Sequence, residues 1–164
     1  TNDCMIRWED LNVSKEAAKV TGFDKSFYNK KAEDPKEVWE KFSKYLYDKD
    51  YIIVGQNLLG FDVYMVNIWR KLIGLDSDYS FVDRIIDTLA LAKAIEKEAP
   101  VDYDNLIYWQ YSWLNYYERG LKTSQKALLK KYSIDFDPNL LHDARYDIEM
   151  CFKIFRKQLF DIEL

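Results

Sequence analysis

Two cysteines, Cys4 and Cys151, and one histidine, His142, are the only thiol or imidazole ligands in 164 residues. They make neither a disulfide framework nor a zinc-ligand spacing, which argues against a disulfide-stapled scaffold and a structural zinc site. Five glycines and three prolines are too few for collagen-like or linker character. No run approaches the ~20 apolar residues that a membrane-spanning helix needs, and no charged-then-apolar signal segment opens the chain. Positive charge is not in excess either. Lys and Arg number 24 against 28 Asp and Glu, a net charge of −4. That balance argues against coating nucleic acid by bulk electrostatics, though not against a local grip on a strand end. An acidic site for divalent cations would itself add to the negative count. The expectation is an intracellular, cytoplasmic domain with no membrane partner.

What is abundant is apolar and aromatic. The apolar fraction is 48%, with 13 Tyr, 9 Phe and 5 Trp, which excludes disorder. The length suits one domain, taken as residues 1–164. Cys4-Met5-Ile6 reads as the end of a strand. Lys15 to Val20 reads as a short helix capped by Ser14 and stopped by Gly22. Asp34-Pro35 opens a second helix, with Val38, Trp39, Phe42, Tyr45 and Leu46 on one face. Tyr51-Ile52-Ile53-Val54, between Asp50 and Gly55, has the continuous apolar character of a strand buried on both faces.

A loop from Gly55 to Gly60 follows. A helix with Phe61, Met65, Ile68, Trp69 and Leu72 along its apolar stripe then ends at Gly74. Phe81 to Ile86 reads as a second strand, and Asp87-Thr88 opens a helix through Ala94. Helices over 123–132 and 143–159 complete an α/β pattern. Residues 101–120 stand apart as an aromatic-rich insertion, with Tyr103, Tyr108, Trp109, Tyr111, Trp113, Tyr116 and Tyr117 crowded together. Base stacking, a protein interface and core packing all use such residues.

Two carboxylates fall next to apolar stripes. The last helix carries Ala144, Ile148, Cys151, Phe152, Phe155 and Leu159 as its stripe, and Asp147 shares the stripe's edge. Asp62 opens the helix after the Ile52–Val54 strand, beside Met65, Val66 and Trp69. Crevices at strand carboxyl ends are where open α/β sheets put ligands. Taken alone, each Asp is explained by the helix dipole, and His142 by capping or loop contacts. Together they form a candidate site, because two carboxylates can hold a divalent metal and a nearby histidine can take a proton from water.

Val54-Gly55-Gln56-Asn57-Leu58-Leu59-Gly60-Phe61-Asp62 resembles the second motif of the DEDDh, or DnaQ-like, 3′–5′ exonucleases, which include RNase T and the proofreading subunit of bacterial replicases. Leu141-His142-Asp143-Ala144-Arg145-Tyr146-Asp147 is similar to their third motif. Ile86-Asp87-Thr88-Leu89 resembles an Asp-Thr-Leu segment usual in the family, and Glu16 to Phe23 resembles the short helix before the second motif. Gln56 stands where the family often has His. The first motif, Asp-x-Glu on a strand, has no counterpart. The resemblance thus implies a ribonuclease H-like mixed sheet flanked by helices, without its N-terminal strands in this stretch. Those strands would add on the order of 30–60 residues. Asp161 and Glu163 near the end spell an Asp-x-Glu and are read as a frayed acidic tail.

The resemblance further implies two Mg²⁺ or Mn²⁺ ions, with Asp62 and Asp147 among their ligands and His142 as general base. It implies hydrolysis of terminal phosphodiesters from the 3′ end of single-stranded DNA or RNA, releasing nucleoside 5′-monophosphates. Asn57 and Phe61 flank that site. Phe61 is open to two readings, core residue or base-stacking wedge. Lys122, Lys126 and Lys130 fall four apart on one helix face with Lys131 beside them, and read as a guide for a nucleic-acid backbone or as a solvated face. A polymerase or another replication or repair protein is the expected protein partner. The rival expectation is a catalytically inactive exonuclease-fold module that binds nucleic acid or protein.

Overall fold

The computed structural model describes residues 4–162. Its strands form two parallel pairs. Strand β1 (Met5–Ile6) pairs with β2 (Ala32–Glu33), and β3 (Ile53–Gly55) pairs with β4 (Ile85–Asp87). Between and after them come α1 (Lys15–Thr21), α2 (Lys25–Lys31), α3 (Pro35–Leu46), α4 (Val63–Leu72), α5 (Thr88–Glu96), α6 (Leu106–Asn115), α7 (Gln125–Lys131) and α8 (Ala144–Asp161). The class is α/β, with a small parallel sheet in a largely helical body.

Helix starts follow local chemistry. The Ser14 hydroxyl accepts from the Ala17 N–H at 3.1 Å, and Gly22 ends α1 at φ 66°, where a side chain is disfavoured. One Asp34 oxygen accepts from Lys36 and Glu37 N–H groups at 2.8 and 3.2 Å, and Pro35 occupies the first turn without needing a partner. Each such cap contributes about 1 kcal/mol. Helix α2 is not foreseen by periodicity because it buries no residue. It is held by its own cap, Asp24, at 2.6 Å from the Phe27 N–H.

The core has three patches. Val38, Trp39 and Leu46 of α3 pack with Leu59, Val63, Trp69, Phe81 and Ile85, where Trp39 and Trp69 meet edge to face at 5.1 Å. Ile86, Leu91, Ala94, Trp109 and Phe155 form a second patch. Ala92, Leu128, Leu129, Met150 and Ile154 form the third.

Several sequence expectations are corrected. The run Tyr51–Val54 is not a doubly buried strand. Tyr51 and Ile52 lie outside β3 and are exposed, and the strand runs from Ile53 to Gly55. Phe81 lies just ahead of a single 3₁₀ turn over Val82–Arg84, and extended backbone begins only at Ile85. Along α4, Trp69 alone of the expected stripe is buried, whereas Phe61, Met65, Ile68 and Leu72 are exposed. On α8 the buried residues are Met150, Cys151, Ile154, Phe155 and Gln158, while Ile148, Phe152 and Leu159 of the expected stripe are open to solvent. Both helices are apolar on more than one face, so period alone does not say which face meets the core. Asp161 is the last residue of α8 rather than part of a frayed tail; Glu163 lies outside the described residues.

The β4 side of the second pair is closed by a side chain. Gln110 of α6 accepts from the Asp87 N–H at 2.7 Å and donates from Nε2 to the Ile85 carbonyl at 3.0 Å. Its amide thus takes the place of a strand's peptide group. On the β3 side no strand pairs among the described residues.

Candidate active site

The turn after β3 is compact. Asn57 adopts a left-handed conformation at φ 63°, and residues Leu58–Asp62 form one wide π-type turn leading into α4. Two glycines let it close. A Cβ on Gly55 would come within 2.7 Å of the Leu58 side chain, and one on Gly60 within 2.3 Å of Asn57 Oδ1. The turn ends at Asp62, the residue before the first of α4.

Asp62, Asn57, Gln56 and all of β3 line a cavity of about 1030 Å³. Its far wall is the first half of α8, with Asp147, Ile148, Cys151 and Phe152, and Gln125 of α7 stands beside Asp147. The structure therefore brings Asp62 and Asn57 of the turn and Asp147 of α8 to one cavity, from two chain segments. His142 precedes α8 in a left-handed conformation at φ 80°, which costs a non-glycine residue on the order of 1 kcal/mol. This conformation accompanies bonds from its N–H to both Asp147 carboxylate oxygens at 3.2 and 3.3 Å, while the residue itself stays exposed. Gln125 Nε2 holds the Asp147 carbonyl at 2.7 Å.

The two cavity aspartates carry their charge without an ion-pair partner among the described residues. Ion pairs among the described residues join Lys41 to Glu33, Lys97 to Glu118, Lys131 to Glu96 and Lys153 to Glu149, and none includes Asp62 or Asp147. Burial against its neighbours pushes the Asp62 carboxyl above its ordinary pKa; a backbone hydrogen bond opposes this, and the nearby Asp87 charge adds to the rise. Burial likewise raises the Cys151 thiol, whose sulfur lies 3.6 Å from Thr88 Oγ1.

Carboxylate oxygens are hard donors that suit Mg²⁺ or Mn²⁺, and Mg²⁺ is commonly held by one or two carboxylates with water and phosphate completing the shell. Asp62 and Asp147 fit that pattern as part of a ligand set. No group of three or more His, Cys, Asp or Glu among the described residues could hold a metal unaided.

Other expected site residues lie less centrally. Phe61 is 57% exposed, which removes its core reading. Lys122 precedes α7, which starts at Gln125, so the expected helical row of lysines begins at Lys126; both side chains belong to exposed residues. Lys131 is engaged with Glu96 at 2.7 Å. The aromatic segment divides: Trp109 is buried and packs near Trp113, while Tyr103, Tyr108 and Tyr117 are exposed.

Sequence reasoning missed Gln125 and Gln110, for which no local pattern exists. It read Asp87 as a helix opener and as part of a segment resembling the family's Asp-Thr-Leu, without a site role, although its place at the end of the Ile85-Ile86 run, opposite Gly55 in register, sets it beside the turn. No helix among the described residues is long and apolar enough to cross a membrane. Neither the curated proteins nor the solved structures contain a match to the chain. The exonuclease family model, of RNase T type, matches residues 3–155, a span that takes in the turn, both aspartates and His142. With nearly its whole length matched, this chain belongs to the exonuclease family.

Proposed function

We propose that the protein is a metal-dependent 3′–5′ exonuclease that removes nucleoside 5′-monophosphates from the 3′ end of single-stranded DNA or RNA. The observation that carries this reading is the shared cavity: Asp62 and Asp147, remote in sequence and unpaired with any described cation, line one space at the carboxyl end of β3. Two Mg²⁺ or Mn²⁺ ions, when bound, supply an activated water and neutralise charge on the phosphodiester and the leaving 3′ oxygen. Asp62 and Asp147, on opposite walls of the cavity, would hold them, with water and substrate phosphate among the remaining ligands.

His142 is suited to take the proton from the attacking water. The residue is exposed and its backbone N–H is tied to both Asp147 carboxylate oxygens, so base and ligand stay in register. Asn57, which lines the cavity, and the exposed Phe61 ring bind the terminal nucleotide. Lys122 and Lys126 guide the backbone. A second reading, an inactive module that binds without cutting, is favoured by one fact only: no described cluster holds three metal-binding side chains.

The test is digestion of a 5′-labelled single-stranded oligonucleotide with Mg²⁺ or Mn²⁺, comparing wild type with Asp147→Ala. A ladder that shortens from the 3′ end and vanishes in the variant supports the exonuclease. Retention of the oligonucleotide without cleavage, by a folded wild type, supports the binding module instead.

A further inference from the structure

Asp87 is the most enclosed carboxylate in the site region, with 0% exposure and no described salt-bridge partner. Backbone N–H groups take the place of a cation. Oδ1 accepts from Asn57 at 2.9 Å and from Leu89 at 3.0 Å, and Oδ2 accepts from Leu59 at 3.1 Å. Capping α5 accounts for the Leu89 bond alone. The other two reach a segment about 30 residues earlier in the chain and enter the turn that ends at Asp62. Successive N–H groups around a left-handed residue form an anion-binding concavity, and the left-handed Asn57 opens such a concavity toward Asp87. The anion is itself pinned from behind, because fully buried Gln110 bonds the N–H of Asp87 and the carbonyl of Ile85.

We propose that Asp87 is the positioning residue of the site: it is the internal anion on which the Gly55–Asp62 turn is built, and through that turn it sets where the Asp62 carboxylate meets the cavity. Gln110 holds Asp87 in place, which gives the aromatic helix α6 a part in site geometry. This inference rests on Asp62 being a metal ligand, as proposed above. The turn has little slack to absorb a change, since Gly55 and Gly60 already sit against Leu58 and Asn57. A shift of the Asn57 and Leu59 amides therefore moves Asp62.

Asp87→Asn is the discriminating variant. It keeps Oδ1 for Asn57 and Leu89 but turns an NH₂ toward the Leu59 N–H. Amide hydrogen exchange and Mn²⁺ binding, read by water-proton relaxation, are measured on wild type, Asp87→Asn, Gln110→Met and Asp62→Asn. In Asp87→Asn we expect exchange at Leu59 and Asn57 to quicken about tenfold or more while Leu128 and Leu129 stay protected. Mn²⁺ affinity should fall roughly 10–100-fold, the usual cost of losing a group that orients a metal ligand. Gln110→Met should move both readouts the same way by less, and it carries the test should Asp87→Asn fail to fold. Unchanged exchange at Leu59, or unchanged Mn²⁺ affinity where Asp62→Asn loses it, overturns the positioning role. If Asp62→Asn binds Mn²⁺ like wild type, the metal assignment of Asp62 fails instead, and Asp87 keeps only its hold on the turn.

Discussion

The two edges of the β3–β4 pair are finished in opposite ways. Behind β4, most buried polar groups meet protein partners: Gln110 bonds the strand's backbone, Asp87 gathers three N–H groups, and Gln158 Nε2 reaches the Thr88 carbonyl at 2.9 Å, although Gln158 Oε1 has none. In front of β3 the strand has no described partner, the facing helices expose Met65, Ile68, Ile148 and Phe152, and two carboxylates stand without cations. Burial explains the contrast. A polar group enclosed in protein must be bonded or it costs about 1–3 kcal/mol, whereas a group on an open cavity can wait for a ligand. The rear is therefore a frame, and the front is the open face at which the proposed function places metal and substrate.

The largest break in that comparison should come from the front. Asp147→Ala is expected to lower nuclease turnover on the order of a thousandfold, the several kcal/mol that a metal's charge stabilisation is worth, with little change in a thermal melt. At the rear the currency changes to stability. Asp87→Ala strands one buried and two part-buried N–H groups and should cost about 2–4 kcal/mol in urea unfolding. Gln110→Leu, which orphans one N–H and one carbonyl on β4, should cost about 1–3 kcal/mol in the same experiment.

Back at the front, Asp62→Asn should stabilise the metal-free protein slightly. Burial raises this carboxyl in the folded state, so the favourable neutral form is fully present below the unfolded-chain pKa and is lost as pH rises through the raised folded value. Asn stays neutral throughout. The variant is thus expected to be more stable than wild type at pH 7 by roughly 0.5 kcal/mol or less, because the carboxylate, though crowded by its neighbours, stays open to screening solvent, and equal to it below about pH 4. Smallest of all, Phe152→Ser on the open wall of α8 should change stability by no more than about 0.5 kcal/mol, since its ring is 57% exposed. A larger loss would mean that this wall is covered.

Much of the site is legible from local patterns. Ser14, Asp34 and Asp87 cap helices as their spacing indicates, because a cap involves neighbours within about three residues. Asp62 and Asp147 stand out as charges beside apolar stripes, and both do line the cavity. The faces themselves are misassigned. Phe61, Met65 and Leu72, or Ile148 and Phe152, satisfy helical periodicity as well as the residues that are in fact buried. Periodicity detects a helix with an apolar side, but burial depends on what stands opposite.

Composition and spacing alone thus determine an α/β chain with its helix starts, its two awkward carboxylates and one histidine near the second of them. Those properties are encoded by residues close together along the chain. Only the tertiary structure decides that Gln110 completes the edge of β4, that Asp87 anchors a turn about 30 residues earlier in the chain, and that Asp62 and Asp147 share a cavity. Each of these joins segments far apart in sequence, and a hydrogen bond or shared cavity between them exists only once the strands and helices have packed.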